Sequence, residues 1–392
     1  MFVFLFSTLA VADNYAILIA GSSGWINYRH QADISTIYQM LLRNGYQKDH
    51  IIQFQYDDIA NNELNTFPGQ IFHAESHENV YPGASQIDVK NEDITAESLY
   101  NALRSLKSTS NDNILLYYDN HGAPGTLGVP NSKGYPIYGD ELNNVIQEMY
   151  DKGLYKNFLF IVEACESGSL IPFIKAPNTL VISASGPAEE SWSLIYDSSI
   201  DNMLTNEFTY YLLSQIQENP TAEIIDIFNK VLKLMHGSTP RIGKNETIQK
   251  MKISEFFGIP NKINFRKTIQ KVHHENGIPQ RSVLSHFLKK TSEEISDPMK
   301  RASARIKLMK IKTEREKFSY VLRELANALN INPNDIPKEY NDIPLSYFRV
   351  LRHFVKKYDQ IQPDDMDLLS TLVYICKKRS ESDIISAIDS LL

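Results

Sequence analysis

Between Tyr15 and Gly258, short apolar runs alternate with segments in which apolar residues recur every three or four positions. The runs Ala16–Ala20, Ile51–Phe54, Ile114–Tyr118, Phe158–Val162 and Leu180–Ala184 read as strands buried on both faces. Ile34, Ile37, Tyr38, Leu41 and Leu42 mark a helix that Gly45 is placed to end. Leu99, Ala102, Leu103 and Leu106 mark a second helix, and Leu142, Val145, Ile146 and Met149 a third, capped by Asp140. Strands alternating with helices long enough for crossovers predict an α/β domain with a mostly parallel sheet. After Gly258-Ile259-Pro260 the strand runs stop. Residues 259–297 read as a linker with short helical pieces, and 298–392 as four or five short helices in an all-α bundle, broken at Pro333, Pro337, Pro344 and Pro363.

With 392 residues, 42% hydrophobic and 22% charged, the chain is long enough for two domains and can bury a full core without metal or disulfide staples. No apolar run reaches the roughly 20 residues that span a bilayer. Phe2 to Leu9 is apolar and Ala10-Val11-Ala12 has the small-x-small pattern of a cleavage site, so residues 1–12 read as a signal peptide or, alternatively, as a buried first strand. Asn245-Glu246-Thr247 is a glycosylation sequon compatible with export.

Charge divides the chain. Residues 1–258 hold 16 basic against 30 acidic residues, and 259–392 hold 24 against 17. Such a basic tail either attracts the acidic body or seeks an acidic partner such as nucleic acid, and the export signal favours the former. Two cysteines exclude a disulfide scaffold. Cys376 falls in an apolar helical run and reads as core; Cys165 does not.

Cys165 follows the fourth strand in Glu163-Ala164-Cys165-Glu166-Ser167-Gly168, and His121 follows the third in Asp119-Asn120-His121-Gly122. Ligands of open parallel sheets bind beyond the carboxyl ends of the strands, where these loops converge if the strands are neighbours. A thiolate beside an imidazole is a nucleophile with a proton carrier, as peptide hydrolysis requires. The N–H groups of Gly122 and Cys165 are the expected oxyanion donors. Alone, each residue would read as a buried hydrophobe or a surface histidine. The pair, 44 residues apart with the histidine first, has the order of the caspase-like cysteine proteases.

At this level of detail the chain resembles the legumains, the asparaginyl endopeptidases of that caspase-like clan. The resemblance rests on Ile19-Ala20-Gly21-Ser22, on the run from Gly24-Trp25-Ile26-Asn27-Tyr28-Arg29-His30 to Asp33, on Tyr56-Asp57-Asp58-Ile59-Ala60, on His121-Gly122, and on Glu163 to Ser169. It implies a caspase-like three-layer sandwich for 13–258, cleavage after asparagine or aspartate, and a detachable C-terminal prodomain at 298–392. It also implies protein substrates, cystatin-type inhibitors as partners, and a lysosomal, vacuolar or secreted destination. Cys165 would be the nucleophile, His121 the general base and acid, and Asn27 the residue that orients the histidine. Arg29, His30, Glu163, Glu190, Ser191 and Asn206 would bind substrate. The resemblance implies no cofactor, and the ten histidines show no metal-ligand spacing.

Three positions depart from the family pattern. Asn120 stands where many legumains have an aspartate linked to peptide ligation. An ungapped reading from Pro187 puts Glu190 at a small pocket serine and Asn206 at the pocket acid. Either Glu190 or Glu207 then replaces that carboxylate, or the pocket prefers another residue.

The basic tail is expected to cover the acidic cleft and to loosen as acid protonates carboxylates, exposing Asn261, Asn264, Asn276 or Asp297 to self-cleavage. The rival readings are the catalytic subunit of the transamidase that attaches lipid anchors, which usually has a spanning tail, and an inert binding or adhesion protein on the same fold.

Overall fold

The computed structural model describes residues 13–130, 136–260, 277–337, 339–340, 342–358 and 361–392. The signal-peptide segment 1–12 and three of the candidate cleavage residues, Asn261, Asn264 and Asn276, lie outside these.

The chain opens on β1 (Asn14–Ala20) and α1 (Tyr28–Arg43), followed by β2 (Ile51–Phe54), α2 (Ala96–Arg104) and β3 (Asn113–Asp119). A small antiparallel unit follows, made of β4 (Gly122–Ala123), β5 (Thr126–Leu127) and β6 (Ile137–Tyr138). Next come α3 (Gly139–Asp151), β7 (Asn157–Glu163), β8 (Thr179–Ser183), β9 (Trp192–Asp197), β10 (Asn202–Asn206), α4 (Glu207–Glu218) and α5 (Ile224–Leu234). Then follow β11 (Arg241–Ile242), α6 (Glu246–Gln249), α7 (Ser254–Phe257) and β12 (Ile278–Pro279). The last helices are α8 (Val283–Glu294), α9 (Pro298–Ala328), α10 (Ser346–Lys357), α11 (Ser370–Lys378) and α12 (Glu381–Leu391).

The main sheet has the order β11-β8-β7-β3-β1-β2, parallel throughout except where β11 meets β8. The five expected strands form to within two residues of their expected ends. Their apolar runs are continuous because both faces are covered. Ala16, Leu18 and Ala20 of β1 pack with α1, α4 and α5, while Tyr15, Ile17 and Ile19 pack with α2 and α3. The chain steps from β1 to β2 on one side and returns to β3 on the other, so a crevice opens between β1 and β3 at their carboxyl ends.

Gly45 ends α1 as its sequence position predicts. At φ +97° it lets Tyr46 N–H reach the Leu41 carbonyl and its own N–H reach that of Leu42. Asp140 does not cap α3. The helix begins at Gly139 with Tyr138 as the capping residue, and the Asp140 carboxylate is turned to Arg352 Nη2 at 2.6 Å. The pattern also gave no sign of the sheet β10-β9-β12 or of β4–β6, because two-residue strands show no period and Trp192–Asp197 mixes polar with apolar positions.

Within the stretch read as linker, residues 277–297 form β12 and the 12-residue α8. The tail is a bundle as expected, but its first helix, α9, runs for 31 residues. Phe318, Leu322, Leu325, Phe348, Leu351 and Leu372 share its core, as does Cys376, whose thiol burial pushes up to about 12. The same cluster takes in Ala123 and Tyr138 of the β4–β6 unit, and Phe173 meets Phe348 edge-on at 4.7 Å. The bundle therefore sits against the loop that follows β3. Among the described residues no helix is long and apolar enough to cross a membrane.

Candidate active site

The parallel pairing of β3 and β7 is in register, with Asp119 opposite Glu163. His121 and Cys165 each lie two residues beyond that pair, so the sheet itself brings them level. Both are buried. Just past Cys165 the backbone turns sharply, with Glu166 held at φ +56°, into the single helical turn Ser167–Leu170.

His121 Nε2 meets Asn27 Oδ1 at 3.0 Å, and Asn27, which immediately precedes α1, is itself held by Nδ2 donating to the Ser23 carbonyl. Because a carboxamide oxygen only accepts, Nε2 carries the proton and Nδ1 keeps its lone pair. Nδ1 is buried without a hydrogen-bond partner among the described residues, so it is the nitrogen free to take a thiol proton. Burial pushes the Cys165 thiol up, against the charge of Arg281. Burial also holds His121 well below the ordinary imidazole range, helped by the charges of Arg29 and Arg281. In this state the pair rests as neutral thiol and neutral imidazole.

At Gly122 only hydrogen fits. A Cβ there would stand 2.4 Å from the Cys165 carbonyl oxygen and 3.1 Å from Ala164 Cβ. Gly122→Ala is expected to push the two loops apart and to lower any peptide hydrolysis at least about 100-fold while leaving the helical signal intact. Steady-state kinetics beside circular dichroism check it.

Beside the dyad lies a closed polar pocket, and a side chain of the chain itself fills it. Arg29 is fully buried; its Nε donates to Asn206 Oδ1 at 3.0 Å, Nη1 to the Ile26 carbonyl at 3.0 Å and Nη2 to Gln280 Oε1 at 3.2 Å. His30 Nε2 lies 3.0 Å from the same Gln280 oxygen, while its Nδ1 meets Ser22 Oγ at 2.6 Å. Gln280 Nε2 donates to Glu163 Oε1 at 3.1 Å and to Ser191 Oγ at 2.8 Å. Ser191 Oγ in turn donates to Cys165 Sγ at 3.7 Å. The pocket thus offers donors to a carboxamide oxygen and acceptors to its NH2 group.

Glu190 does not line this pocket. Ser191, one residue on, carries the hydroxyl that meets the carboxamide, and Glu190 faces Arg281 Nη1 at 3.9 Å. Extended backbone alternates its side chains, so a one-residue offset turns the glutamate away. Glu207 does not supply the pocket's carboxylate either, because it accepts the backbone N–H groups of His236 and Gly237. The carboxylates at the pocket are Glu163 and, behind it, Asp119 and Asp33, which Asn206 Nδ2 bridges at 2.9 Å each. Burial, then the charge of Asp33, pushes both Asp119 and Glu163 well up. Burial lowers Arg29 to about 10, against the pull of Asp119, Cys165, Asp33 and Glu163.

Asn120 Nδ2 donates to the Gly21 carbonyl and ties the β3 loop to β1. Asn245 caps α6, accepting from Ile248 N–H and donating to the Thr179 carbonyl.

Sequence reasoning passed over Asp33, Asp119, Gln280 and Arg281. Asp119 was findable, as the last residue of a strand in register with the one that ends at Glu163. Gln280 reaches the pocket because Ile278 and Pro279 pair with Ser193 and Trp192 as an added strand, and Gln280 N–H bonds the Ser191 carbonyl at 2.9 Å. Arg281 then sits over the dyad loops, with Nη2 on the Gly122 carbonyl at 2.8 Å and 3.2 Å from Glu166 Oε2. No local pattern announces either residue.

A model of the Peptidase C13 family matches residues 14–273. Legumain of Mus musculus is 30% identical over 296 residues, 71% of this chain and 66% of the mouse protein, so the match spans just under two thirds of that relative. A hemoglobinase of Schistosoma japonicum is 29% identical over 398 residues, covering 95% of this chain and 91% of its own. A vacuolar-processing enzyme of Citrus sinensis is 40% identical over 197 residues, 47% of this chain and 39% of its own. Among solved structures, a caspase-1 of Spodoptera frugiperda aligns at 14% identity with a TM-score of 0.39, over 64% of this chain and 92% of that one. With the family model matched from β1 through the whole dyad region, the chain belongs to the Peptidase C13 family.

Proposed function

We propose that this chain is a cysteine endopeptidase that cleaves after asparagine and is made as a precursor covered by its own C-terminal part. The observation that carries this reading is the Gln280 carboxamide, held between Arg29, His30, Glu163 and Ser191 one hydroxyl away from Cys165. Residues 278–280 pair with β9 as an extended peptide adding a strand, the usual way a protease grips substrate main chain. A substrate asparagine would present the same group on a shorter stem. His121 Nδ1 takes the Cys165 proton, the sulfur attacks the carbonyl carbon, and the N–H groups of Gly122 and Cys165 stabilise the oxyanion. His121 returns the proton to the leaving amine, and water hydrolyses the thioester. The export reading of residues 1–12 and the vacuolar relative support a secretory, lysosomal or vacuolar setting.

A fluorogenic Ala-Ala-Asn peptide tests this, assayed after removal of the tail and against Cys165→Ala. Hydrolysis by the former alone is expected, and a peptide library without enrichment for Asn before the cut bond would sink the specificity. The Cys165→Ala chain should stay full length; loss of its tail would assign activation to another protease.

Tail and body meet through Arg352 on Asp140 and Glu141, Arg281 on Glu166, and Lys290 on Asp201. Groups at this contact pull in both directions: Asp367, where burial is outweighed by Arg315 and Arg281, lies below the usual carboxylate range and favours loosening in acid, while two raised carboxyls oppose it. Burial pushes Glu166 up to about 8 and Asp364 to about 6. A carboxyl whose pKa is raised in the closed form binds an extra proton on closing, so closure is favoured at low pH and weakened as pH rises through the raised value. We expect the Cys165→Ala chain to hold residues 277–297 more tightly at pH 6 than at pH 9, with Glu166→Gln flattening the difference. Hydrogen exchange over this segment reads it, and the opposite slope refutes it.

A further inference from the structure

The cations of α9 remain unexplained by the contact between tail and body. From Pro298 to Lys312 the sequence holds six Lys or Arg and no Asp or Glu, in a chain whose net charge is −7. Among the described residues, Lys300, Arg301, Arg305, Lys307 and Lys310 pair with no carboxylate, and Lys312 reaches only Glu316, at 3.9 Å. Beside them Met299 is 82% exposed, Ile306 68%, Met309 70% and Tyr320 63%. Their spacings of seven, three and eleven residues are close to two, one and three turns of a helix, so the four share one stripe. The helix's core residues begin at Phe318, and before it only Ala304 is buried.

We propose that the first half of α9 is a docking face for an anionic membrane surface, on which the helix lies in the plane of the headgroups. Large apolar side chains in one stripe match the acyl boundary, and the cations around them match anionic headgroups. The face carries the wrong chemistry for the other occupants. Nucleic acids and sulfated glycans offer nothing to Met299, Ile306 and Met309, and a second copy would bring like charges together. The proposal stands apart from the peptidase reading, since it uses no residue of the dyad or the pocket.

The test uses the full-length Cys165→Ala chain, which keeps its tail, sedimented with vesicles of phosphatidylcholine alone or mixed with phosphatidylserine. Binding is expected on the mixed vesicles only, falling at least about tenfold between low salt and 1 M salt as the charges are screened. Lys300→Glu/Arg301→Glu/Arg305→Glu should abolish it. Met299→Ser/Ile306→Ser/Met309→Ser, with every cation kept, should weaken it at least about tenfold. Because these side chains are exposed or half-exposed, circular dichroism should show both variants folded. Absence of binding to the mixed vesicles, equal binding to neutral ones, or wild-type binding by the serine variant each overturns the proposal. So does a dimer in solution that the serine variant dissociates, because a second copy would then be the occupant.

Discussion

Replacing Arg29 by methionine should destabilise the chain by about 3–5 kcal/mol, the cost of leaving buried charge without its partner. Arg29 is the cation among Asp33, Asp119 and Glu163, all with no exposure to solvent. Asn206 shows how tightly this arrangement is drawn: it accepts from Arg29 Nε and donates to both aspartates, so removal of the guanidinium leaves its oxygen unpaired as well. Methionine fills much of the volume, so the loss reports charge rather than a cavity. The pH dependence has a definite sign. Without Arg29, Asp119 and Glu163 are raised further above their ordinary range, and a carboxyl raised in the folded state supports folding at low pH and withdraws that support as pH rises. Denaturant melts should therefore place the variant nearest to wild type below about pH 4 and furthest from it at neutral pH. A deficit independent of pH would mean that Arg29 acts through packing. The same substitution removes a donor to the carboxamide oxygen, so hydrolysis by any folded fraction should show its loss chiefly in KM.

The second large effect is expected at Gln280. Its carboxamide is anchored at both ends, by Arg29 and His30 on the oxygen and by Glu163 and Ser191 on the nitrogen. Its backbone is held by the pairing of β12 with β9. Glutamine carries one methylene more than asparagine, so with the amide seated its peptide carbonyl stands further from Cys165 than that of a seated asparagine would. Gln280→Asn should draw the Gln280–Arg281 bond towards the sulfur and turn an occupied, uncut site into a cut one. Self-cleavage after residue 280 is expected to speed up at least about 100-fold, the sensitivity of such reactions to displacement of about 1 Å. Cys165→Ala/Gln280→Asn should remain whole. Mass spectrometry of the two chains decides it, and an uncut Gln280→Asn chain with an active Cys165 would show that residues 278–281 do not lie along the path of a substrate. Gln280→Ala should have a different outcome. It empties the pocket without supplying a cleavable residue, so an active-site titrant should label the uncut chain.

The parts of the site legible in the sequence are those that local rules govern. Buried parallel strands must be apolar throughout, and five such runs marked the sheet, with His121 and Cys165 just past the ends of two of them. Asn27 and Arg29 came from resemblance rather than from any pattern, and the fold puts both at the pocket and dyad, at the start of α1. Ser191 and Glu190 show the limit of reading by offset, because a shift of one residue on extended backbone exchanges an inward side chain for an outward one. Asp140 shows the limit of capping rules: its carboxylate has a stronger partner in Arg352, 212 residues away.

Composition and periodicity by themselves determined the α/β body, the helical tail, the division of charge between them, and a free thiol without a place in a core. Tertiary structure alone decided what the pocket contains. The acceptors for the carboxamide, the carboxylates behind them and the glutamine that fills the space come from strand ends and turns separated by up to 251 residues in the chain. Nothing in the order of residues fixes such distances. They follow from the register of β3 on β7, which sets Asp119 beside Glu163, and from the pairing of β12 with β9, which delivers Gln280 beside Cys165.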